Sequence, residues 1–321
     1  MRVALALLAA VLLVQTTAAQ RLERTTDAMG ATFSIVLYGS DQASMNQAID
    51  AAFEEAHRLD ALLSNYRPTS EWSLINREAA SRPLTVSPEL FRLLSDCIDY
   101  SRASEGTFDL TVGPLMRAWG FFGGGRHVPS PDEIHDALEL VGYRHVELDT
   151  TNRTVRFDRP GVEIDPGGVG KGYAVDRMAE VLRARGIRNA LIAASGSSIF
   201  GLGNPPEEPR GWPISVADPW DRRKDATQVF LRDVSLSTSG TYEKSFRAGR
   251  HRYSHIMDPR RGVPAESAAQ VTVIAPRAIE SEVWAKPYFI QGRGWTAVHK
   301  PKPWRVLYCE NAPGSSCSWV E

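Results

Sequence analysis

The order of helical and strand-like segments is the feature that most limits the fold of this chain. Apolar spacing and capping residues predict helices over residues 41–64, 87–104, 130–142 and 173–186. Strand-like runs, among them TFSIVLYG and AAQVTVIAP, occur in clusters between single helices. A doubly wound sheet would require regular alternation of strands and helices. The pattern therefore predicts a mixed α+β fold.

Two of the predicted helices begin with a clear capping signal. Ser87 precedes Pro88, which suits the first helical position, and Ser130 lies three residues before Glu133, as in a capping box. Gly186 is expected to end the helix that covers residues 173–186.

Residues 1–19 have the pattern of a secretory signal peptide. A single arginine precedes an apolar run over 3–14, and small residues lead to predicted cleavage after Ala19. The run is short for a membrane span, although a retained N-terminal anchor is the alternative. The expected location is periplasmic or secreted, with one domain over residues 20–300 and a C-terminal tail over 301–321.

The charge balance argues against several classes of partner. Hydrophobic residues make up 43% of the sequence, as in ordinary globular proteins, and the formal net charge is −1. Neither nucleic acid nor an anionic membrane surface is expected as a partner, and any membrane association would be peripheral.

The three cysteines fit an exported protein. Cys309 and Cys317 lie close together in a polar segment and could form a disulfide bond. Cys97 falls on the apolar side of a predicted helix and is expected in the core. No spacing of these residues suggests a zinc site.

The stretch IDPGGVGKGYAVD, residues 164–176, combines glycines, a lysine and the start of a helix. It is not a P-loop, because the residue five before Gly170 is Asp165 and the residue after Lys171 is Gly172. Exposed backbone N–H groups at a helix N-terminus, beside a lysine, nevertheless suit a diphosphate group. From this stretch alone, phosphate binding and a purely structural turn both stay open.

Six motifs in a fixed order favour phosphate binding over a purely structural turn. They are MGATFSIVL (29–37), LSNYRPTSEWSLIN (63–76), GTFDLTVGPLMRAWGF (106–121), IDPGGVGKGYAVD (164–176), STSGTYEKSF (237–246) and SHIMDPRRGVP (254–264). Together they resemble the ApbE family of flavin transferases, which move FMN from FAD onto a threonine of an acceptor protein. The resemblance runs from Met29 to Gly292. It implies a single α+β domain of two β-α-β(4)-type halves, with FAD in the central cleft.

The resemblance also implies which positions contact FAD. Met29 matches a methionine that contacts FAD, and Tyr66 matches a tyrosine that lies against the isoalloxazine ring, which suits a flat aromatic surface. The other implied FAD contacts are Thr107, Phe108, Asp109, Asp165, Lys171 and His255. Ordinary structural explanations exist beside these. Tyr66 would be a half-buried tyrosine, residues 107–109 a capping turn and His255 a core histidine.

The chemistry implied by the resemblance is transfer of a phosphoryl-linked flavin to a hydroxyl group. A divalent metal, usually Mg²⁺, holds the diphosphate, and a nearby carboxylate assists deprotonation of the acceptor threonine. AMP leaves, and FMN stays on an acceptor protein that carries a D-[GA]-[SA]-T-like motif. The implied metal ligands are the main-chain carbonyl of Gly168 and the side chain of Glu282.

The segment SEVWAKPYFIQG, residues 281–292, departs from the family pattern D-A-x-x-T. Glu282 stands at the aspartate position and Lys286 at the threonine position, both of which ligate the metal in the family. An ammonium group only donates hydrogen bonds, so it cannot ligate a hard cation. Pro287 in the same helix predicts a local kink or a break in the hydrogen-bond ladder.

Three interpretations of this departure are open, beside the structural alternative that both residues lie on a solvated helix face and the match to the family pattern is out of register. Lys286 turns away and pairs with Glu282, in the favoured order for residues four apart. Alternatively, its ammonium group occupies the position of the metal, between Glu282 and the diphosphate. In the third interpretation, the site has lost its chemistry and only binds FAD.

The leading predicted function is an exported FAD:protein FMN transferase, with Glu282, Lys286 and His255 as candidate catalytic residues. The enzymatic alternative is an FAD pyrophosphatase, in which water replaces the threonine. The non-enzymatic alternatives are a flavin-binding or flavin-delivery protein and an FAD-carrying accessory of a reductase.

Overall fold

A computed structural model describes residues 19–312 and 314–321 of the chain. The predicted signal peptide lies outside the described residues, apart from Ala19. The helices, in chain order, are α1 (Gln42–Leu63), α2 (Glu71–Glu78), α3 (Pro88–Ala103), α4 (Gly113–Ala118), α5 (Pro131–Leu138), α6 (Gly170–Ala184), α7 (Ala278–Gln291) and α8 (Arg293–His299). Short 3₁₀ turns cover Tyr143–His145 and Pro166–Gly168.

Each strand of the described residues pairs with at least one antiparallel neighbour. They are β1 (Gln20–Ala28), β2 (Ala31–Gly39), β3 (Leu84–Thr85), β4 (Val146–Asp149), β5 (Thr154–Phe157), β6 (Ala190–Ala194), β7 (Ser198–Leu202), β8 (Trp212–Ala217), β9 (Asp225–Leu231), β10 (Val234–Gly240), β11 (Ser245–Ala248), β12 (His251–Ser254), β13 (Met257–Asp258), β14 (Val263–Pro264), β15 (Ala268–Ala275), β16 (Arg305–Glu310) and β17 (Cys317–Trp319).

One antiparallel sheet of eight strands organises the molecule, in the order β1-β2-β6-β7-β10-β15-β16-β17. Two groups of four strands meet where β7 pairs with β10, with Ile199 opposite Leu236. The remaining strands form the small sheets β8-β9, β11-β12, β13-β14 and β3-β5-β4. The mixed α+β fold predicted from the segment order is confirmed.

Alternate side chains of the sheet face two different layers, as the strand period requires. On one face, residues such as Phe33 and Ile192 pack with α1 and α6 in one buried cluster. On the other face, Ile199 and Leu236 pack with Val229 of the β8-β9 hairpin. α7 lies on the helical side, against α6, β10 and β15. This placement brings the beginnings of α6 and α7 together.

The predicted helix signals are confirmed. The Ser87 hydroxyl accepts a hydrogen bond from the backbone of Leu90 at the start of α3. Ser130 and Glu133 form the reciprocal capping box of α5. Gly186 has a φ of +80° just after α6, in the left-handed region that glycine tolerates, and so ends this helix as expected.

α7 continues as one helix across Pro287 and ends before Gly292. The proline removes its own backbone donor, but it does not divide the helix into two elements. Over residues 19–312 and 314–321, no helix has both the length and the apolar character needed to cross a membrane.

The segment beyond residue 300 belongs to the sheet. β16 pairs with β15, and β17 pairs with β16, where the sulfur atoms of Cys309 and Cys317 are bonded to each other. The predicted C-terminal tail, residues 301–321, contributes β16 and β17 to this sheet, and the side chains of Val306 and Tyr308 are buried in the core. Cys97 is a buried free cysteine, as expected.

Candidate functional site

The glycine-rich stretch 164–176 forms a turn that leads directly into α6. Asp165 accepts a hydrogen bond from the backbone N–H of Gly167 (3.0 Å) and another from the Asn65 amide (3.3 Å). Burial raises the pKa of Asp165 to about 6. Asn65 precedes Tyr66, so this contact links the turn to the loop that carries the predicted ring-stacking tyrosine.

Asp176 joins the two helices that meet at the site. Its carboxylate, on α6, accepts hydrogen bonds from the backbone N–H groups of Ala278 (2.7 Å) and Ile279 (3.0 Å) at the start of α7. These amides have no partner within their own helix, so the carboxylate acts as a cap supplied from outside. Asp176 lies within the glycine-rich motif, but its position in the sequence does not indicate a role. Only the contact between the two helices identifies it.

Glu282 on α7 faces the glycine-rich turn. Its side chain is 3% exposed, and Oε1 lies 3.0 Å from the ammonium nitrogen of Lys171. Oε2 accepts a hydrogen bond from the backbone N–H of Gly172 (2.5 Å). A Cβ atom at Gly172 would lie 2.4 Å from the carbonyl oxygen of Ala278. Glycine at this position therefore allows α6 and α7 to approach closely enough for these contacts.

Lys286 also points at the turn and does not extend into solvent. Its Nζ atom donates hydrogen bonds to the carbonyl oxygens of Glu282 (2.7 Å) and Gly168 (3.2 Å), and it lies 4.0 Å from Glu282 Oε1. The Lys286 and Lys171 side chains are 22% and 28% exposed, so neither side chain is fully buried. The cluster has two cationic groups and one carboxylate.

The charged groups of this cluster shift one another's pKa values. Burial alone would raise the pKa of Glu282, but the ammonium groups of Lys171 and Lys286 hold it below its ordinary value. The Glu282 carboxylate raises the pKa of Lys171. Burial lowers the pKa of Lys286 to about 8, although the same carboxylate acts in the opposite direction.

Met29 and Phe108 both lie against the turn. Met29 and Gly30 have φ values of +54° and +66° and form the two-residue connection between β1 and β2. The Met29 methyl carbon lies 2.9 Å from the position of a Cβ on Gly170, and a ring carbon of Phe108 lies 3.1 Å from the position of a Cβ on Gly168. A larger residue at either glycine would displace these predicted FAD contacts.

The side chains of Thr107 and Asp109 bond within their own region of the protein. Thr107 donates to the carbonyl oxygen of Ser104 (2.6 Å). Asp109 accepts from the backbone N–H groups of Thr111 (2.9 Å) and Tyr143 (2.7 Å) and from the Thr111 hydroxyl. These bonds are the kind expected of a capping turn at residues 107–109. The Phe108 ring is the part of this segment that reaches the glycine-rich turn.

Tyr66 and His255 have contrasting environments. Tyr66 is 80% exposed and lines a shallow pocket that also includes Arg117 and Glu163, so it is not the half-buried tyrosine of the structural alternative. His255 is partly buried, and its Nδ1 lies 3.2 Å from the carbonyl oxygen of Lys244.

His255 is neutral near pH 7. Burial lowers its pKa to about 4. The positive charges of Lys244, Lys286 and Lys171 act in the same direction, which places the imidazole within the field of the cationic cluster.

The donor atoms in this arrangement do not fit a divalent metal. Of the two implied ligands, the Gly168 carbonyl already accepts from Lys286, and the Glu282 carboxylate already binds Lys171 and Gly172. In the described part of the chain, no group of three or more histidine, cysteine, aspartate or glutamate side chains is placed to hold a metal ion. A hard cation would also lie beside two ammonium groups.

The fold and the site together describe a class of protein. It is an α+β protein with a cationic cluster on a glycine-rich turn, which is the kind of site that binds phosphate groups. The family model of the ApbE family matches residues 29–305. This chain belongs to the ApbE family.

Individual relatives agree with this assignment. The chain is 32% identical over 263 residues to an FAD:protein FMN transferase of Klebsiella pneumoniae, which covers 81% of this chain and 79% of the relative. It is 30% identical over 264 residues to an FAD:protein FMN transferase of Treponema pallidum, which covers 78% and 73% respectively.

Solved structures show the same fold. An ApbE protein of Thermotoga maritima superposes with a TM-score of 0.86 at 29% identity, over 94% of this chain and 97% of the other. The flavin transferase ApbE of Vibrio cholerae superposes with a TM-score of 0.80 at 26% identity, over 94% and 96%. The single-domain α+β fold implied by the resemblance is confirmed.

Proposed function

We propose that this protein is an FAD:protein FMN transferase, the activity named for its relatives. The observation that carries the proposal is the convergence of Lys171, Glu282 and Lys286 on the turn 165–172. Two ammonium groups and the backbone amides of a helix start can hold an anionic diphosphate. The carboxylate of Glu282 binds Lys171 and is itself held by Gly172, and Lys286 bonds to the carbonyl oxygens of Glu282 and Gly168.

Residues outside this cluster suit the flavin ring of FAD and the region beside its diphosphate. Tyr66 offers an exposed aromatic face for the isoalloxazine ring, and stacking would bury it. Met29 and Phe108 lie against the turn and would contact the ligand beside the diphosphate. Each of these roles is a prediction from the resemblance that the positions of the side chains support.

The proposed reaction is attack by an acceptor threonine on the phosphorus atom of the FMN half. A new P–O bond forms to the threonine oxygen, the bond between the two phosphates breaks, and AMP leaves with the electron pair. His255 is neutral and accepts the hydroxyl proton in place of the carboxylate implied by the resemblance, because the Glu282 carboxylate is already engaged by Lys171 and Gly172. An anionic ligand offsets the nearby lysine charges, so we expect binding of FAD to raise the pKa of His255 towards the range where a general base is effective. Magnesium has no step here, because the donor atoms do not fit it.

We also propose that the protein acts outside the cytoplasm, after loss of a signal peptide over residues 1–19. The bond between Cys309 and Cys317 supports this location, because disulfides persist in oxidising compartments.

The test is a reaction with FAD and a carrier protein that bears an Asp-Gly-Ala-Thr segment. We expect AMP in the supernatant and covalent flavin fluorescence on the carrier. A carrier with valine in place of the threonine is the control and should stay unlabelled. Release of AMP with free FMN would identify an FAD pyrophosphatase instead, and unchanged FAD would identify a flavin-binding or flavin-delivery protein.

A further inference from the structure

We propose that the ammonium group of Lys286 replaces a divalent metal in this protein, so that the site binds the diphosphate of a dinucleotide without magnesium. The identity of the dinucleotide, FAD, rests on the proposed function. The replacement itself rests on the positions of three charged side chains.

The position of the Lys286 nitrogen is the first support. It bonds to the Gly168 carbonyl oxygen (3.2 Å), one of the two atoms that the resemblance assigns to the metal, and it lies 4.0 Å from the Glu282 carboxylate, the other. A divalent metal bound here would also be a cation held between these two groups, so the ammonium group has the position expected of the metal. The ammonium group supplies the charge and up to three donors, with no requirement for oxygen ligands.

A simple pairing of Lys286 with Glu282 on the helix surface does not describe this geometry. The Lys286 nitrogen is closer to the Glu282 and Gly168 carbonyl oxygens, at 2.7 and 3.2 Å, than to the carboxylate, at 4.0 Å. Glu282 makes its shorter contacts with Lys171 and Gly172. Lys286 is therefore directed at the turn, and the interpretation in which it turns away is not supported.

The charged contacts of the cluster favour an anionic ligand over a metal ion. Glu282 is the carboxylate within salt-bridge distance of both ammonium groups, and the Asp165 and Glu243 carboxylates act on the same two lysines at longer range. A divalent cation would meet repulsion from both lysines, and Glu282 offers it only one carboxylate. A diphosphate would meet attraction from both lysines, whose side chains keep 28% and 22% of their exposure.

The experiment is a titration of the purified full chain with FAD, followed by flavin fluorescence, in EDTA and in millimolar MgCl₂. We expect the wild-type affinity to agree within about twofold between the two buffers. Lys286→Thr should lose about tenfold or more in EDTA, the effect of one charge-assisted hydrogen bond, and should recover on addition of MgCl₂. Lys302→Thr, at an exposed position, is the matched control and should behave as the wild type.

A second variant should change FAD affinity in opposite directions at a metal-dependent site and at a site that uses the Lys286 ammonium group. Glu282→Gln removes the only carboxylate of the cluster, which would weaken a metal-dependent site. Here it frees both lysines for the diphosphate, so FAD affinity in EDTA should be retained or increase. Circular dichroism spectra check that each variant is folded, and the wild-type comparison requires no variant.

The outcomes separate this inference from the proposed function. A wild-type affinity that rises about tenfold or more with MgCl₂ would overturn the inference, as would wild-type affinity of Lys286→Thr in EDTA. Equal FAD binding in both buffers, without AMP release in the presence of a carrier, would support the inference and contradict the transferase. AMP release that requires MgCl₂, together with magnesium-dependent binding, would do the reverse.

Discussion

Single side chains set the electrostatics of the site, and Lys286 is one of the two ammonium groups that hold the pKa of Glu282 below its ordinary value. The sequence identified Lys286 as a departure from the family pattern but left its direction open. Its contact with Gly168 joins residues 118 positions apart, and spacing along α7 cannot predict such a contact. The residues of the cluster, Lys171, Glu282 and Lys286, were therefore predictable from motifs. The contacts between them were not, because these depend on how the helices pack.

The exposed ring of Tyr66 is a direct test of flavin binding. Tyr66→Ala should weaken FAD binding by about 1–3 kcal/mol, because a stacked aromatic surface and its buried area are lost. Tyr66→Phe keeps the ring and should bind nearly as tightly as the wild type. Flavin fluorescence titration measures both, and equal weakening by the two substitutions would contradict stacking.

The pKa of His255 depends on the positive charges of the nearby lysines. Nuclear magnetic resonance titration of its imidazole should give a pKa of about 4, and Lys286→Met should raise this pKa because one nearby positive charge is removed. An unchanged value in the variant would place Lys286 away from His255.

The same shift has a consequence for stability. The folded-state pKa of His255, about 4, lies below its ordinary value of 6.5, so the unfolded chain binds more protons between these pH values. The wild type should therefore lose more stability than His255→Gln as the pH falls from 7 to about 5. Urea unfolding at the two pH values measures this, and parallel losses would contradict the shifted pKa.

At the scale of elements, the junction of α6 and α7 positions the site. The caps at Ser87 and Ser130 were predictable because their partners lie within three residues in the sequence. The cap of α7 was not, because Asp176 reaches it from another helix, 102 residues away. Local signals predict where helices begin, and tertiary contacts decide which helices meet.

Removal of the Asp176 carboxylate should loosen this junction. Asp176→Ala should lower the free energy of unfolding by about 1–2 kcal/mol, because two backbone donors at the start of α7 lose their acceptor. Asp176→Asn keeps one acceptor oxygen and should lose less. Urea unfolding measures the difference, and an alanine variant as stable as the wild type would show that the cap does not contribute.

Close approach of the two helices depends on Gly172. Gly172→Ala should cost about 1–3 kcal/mol of stability, because a Cβ would meet the Ala278 carbonyl at 2.4 Å. Gly294→Ala, in α8 with open space around it, is the matched control and should be neutral or stabilising. Thermal unfolding of the two variants distinguishes crowding from a general effect of alanine.

At the scale of the whole molecule, the sheet extends to the C-terminal residues. The sequence suggested a tail after residue 300, because the segment between Cys309 and Cys317 is polar and rich in turn residues. The buried run 306–309 is short, and only its pairing with β15 shows that it belongs to the sheet. The α+β class was predictable from the segment order, whereas the strand order was not.

The disulfide at this edge should stabilise the whole domain. Cys317→Ser should lower the free energy of unfolding by about 2–3 kcal/mol, the chain-entropy effect of opening a short loop. Dithiothreitol should bring the wild type to the level of the variant and leave the variant unchanged. Equal stability of the two proteins under oxidising conditions would contradict a contribution from the bond.

The most direct test of the site is a crystal structure of the protein grown with FAD. The proposed function predicts that diphosphate oxygens lie within about 3 Å of the Lys171 and Lys286 ammonium groups, beside the turn 165–172, with the flavin ring on Tyr66. A diphosphate bound away from these lysines, or a flavin ring far from Tyr66, would contradict it.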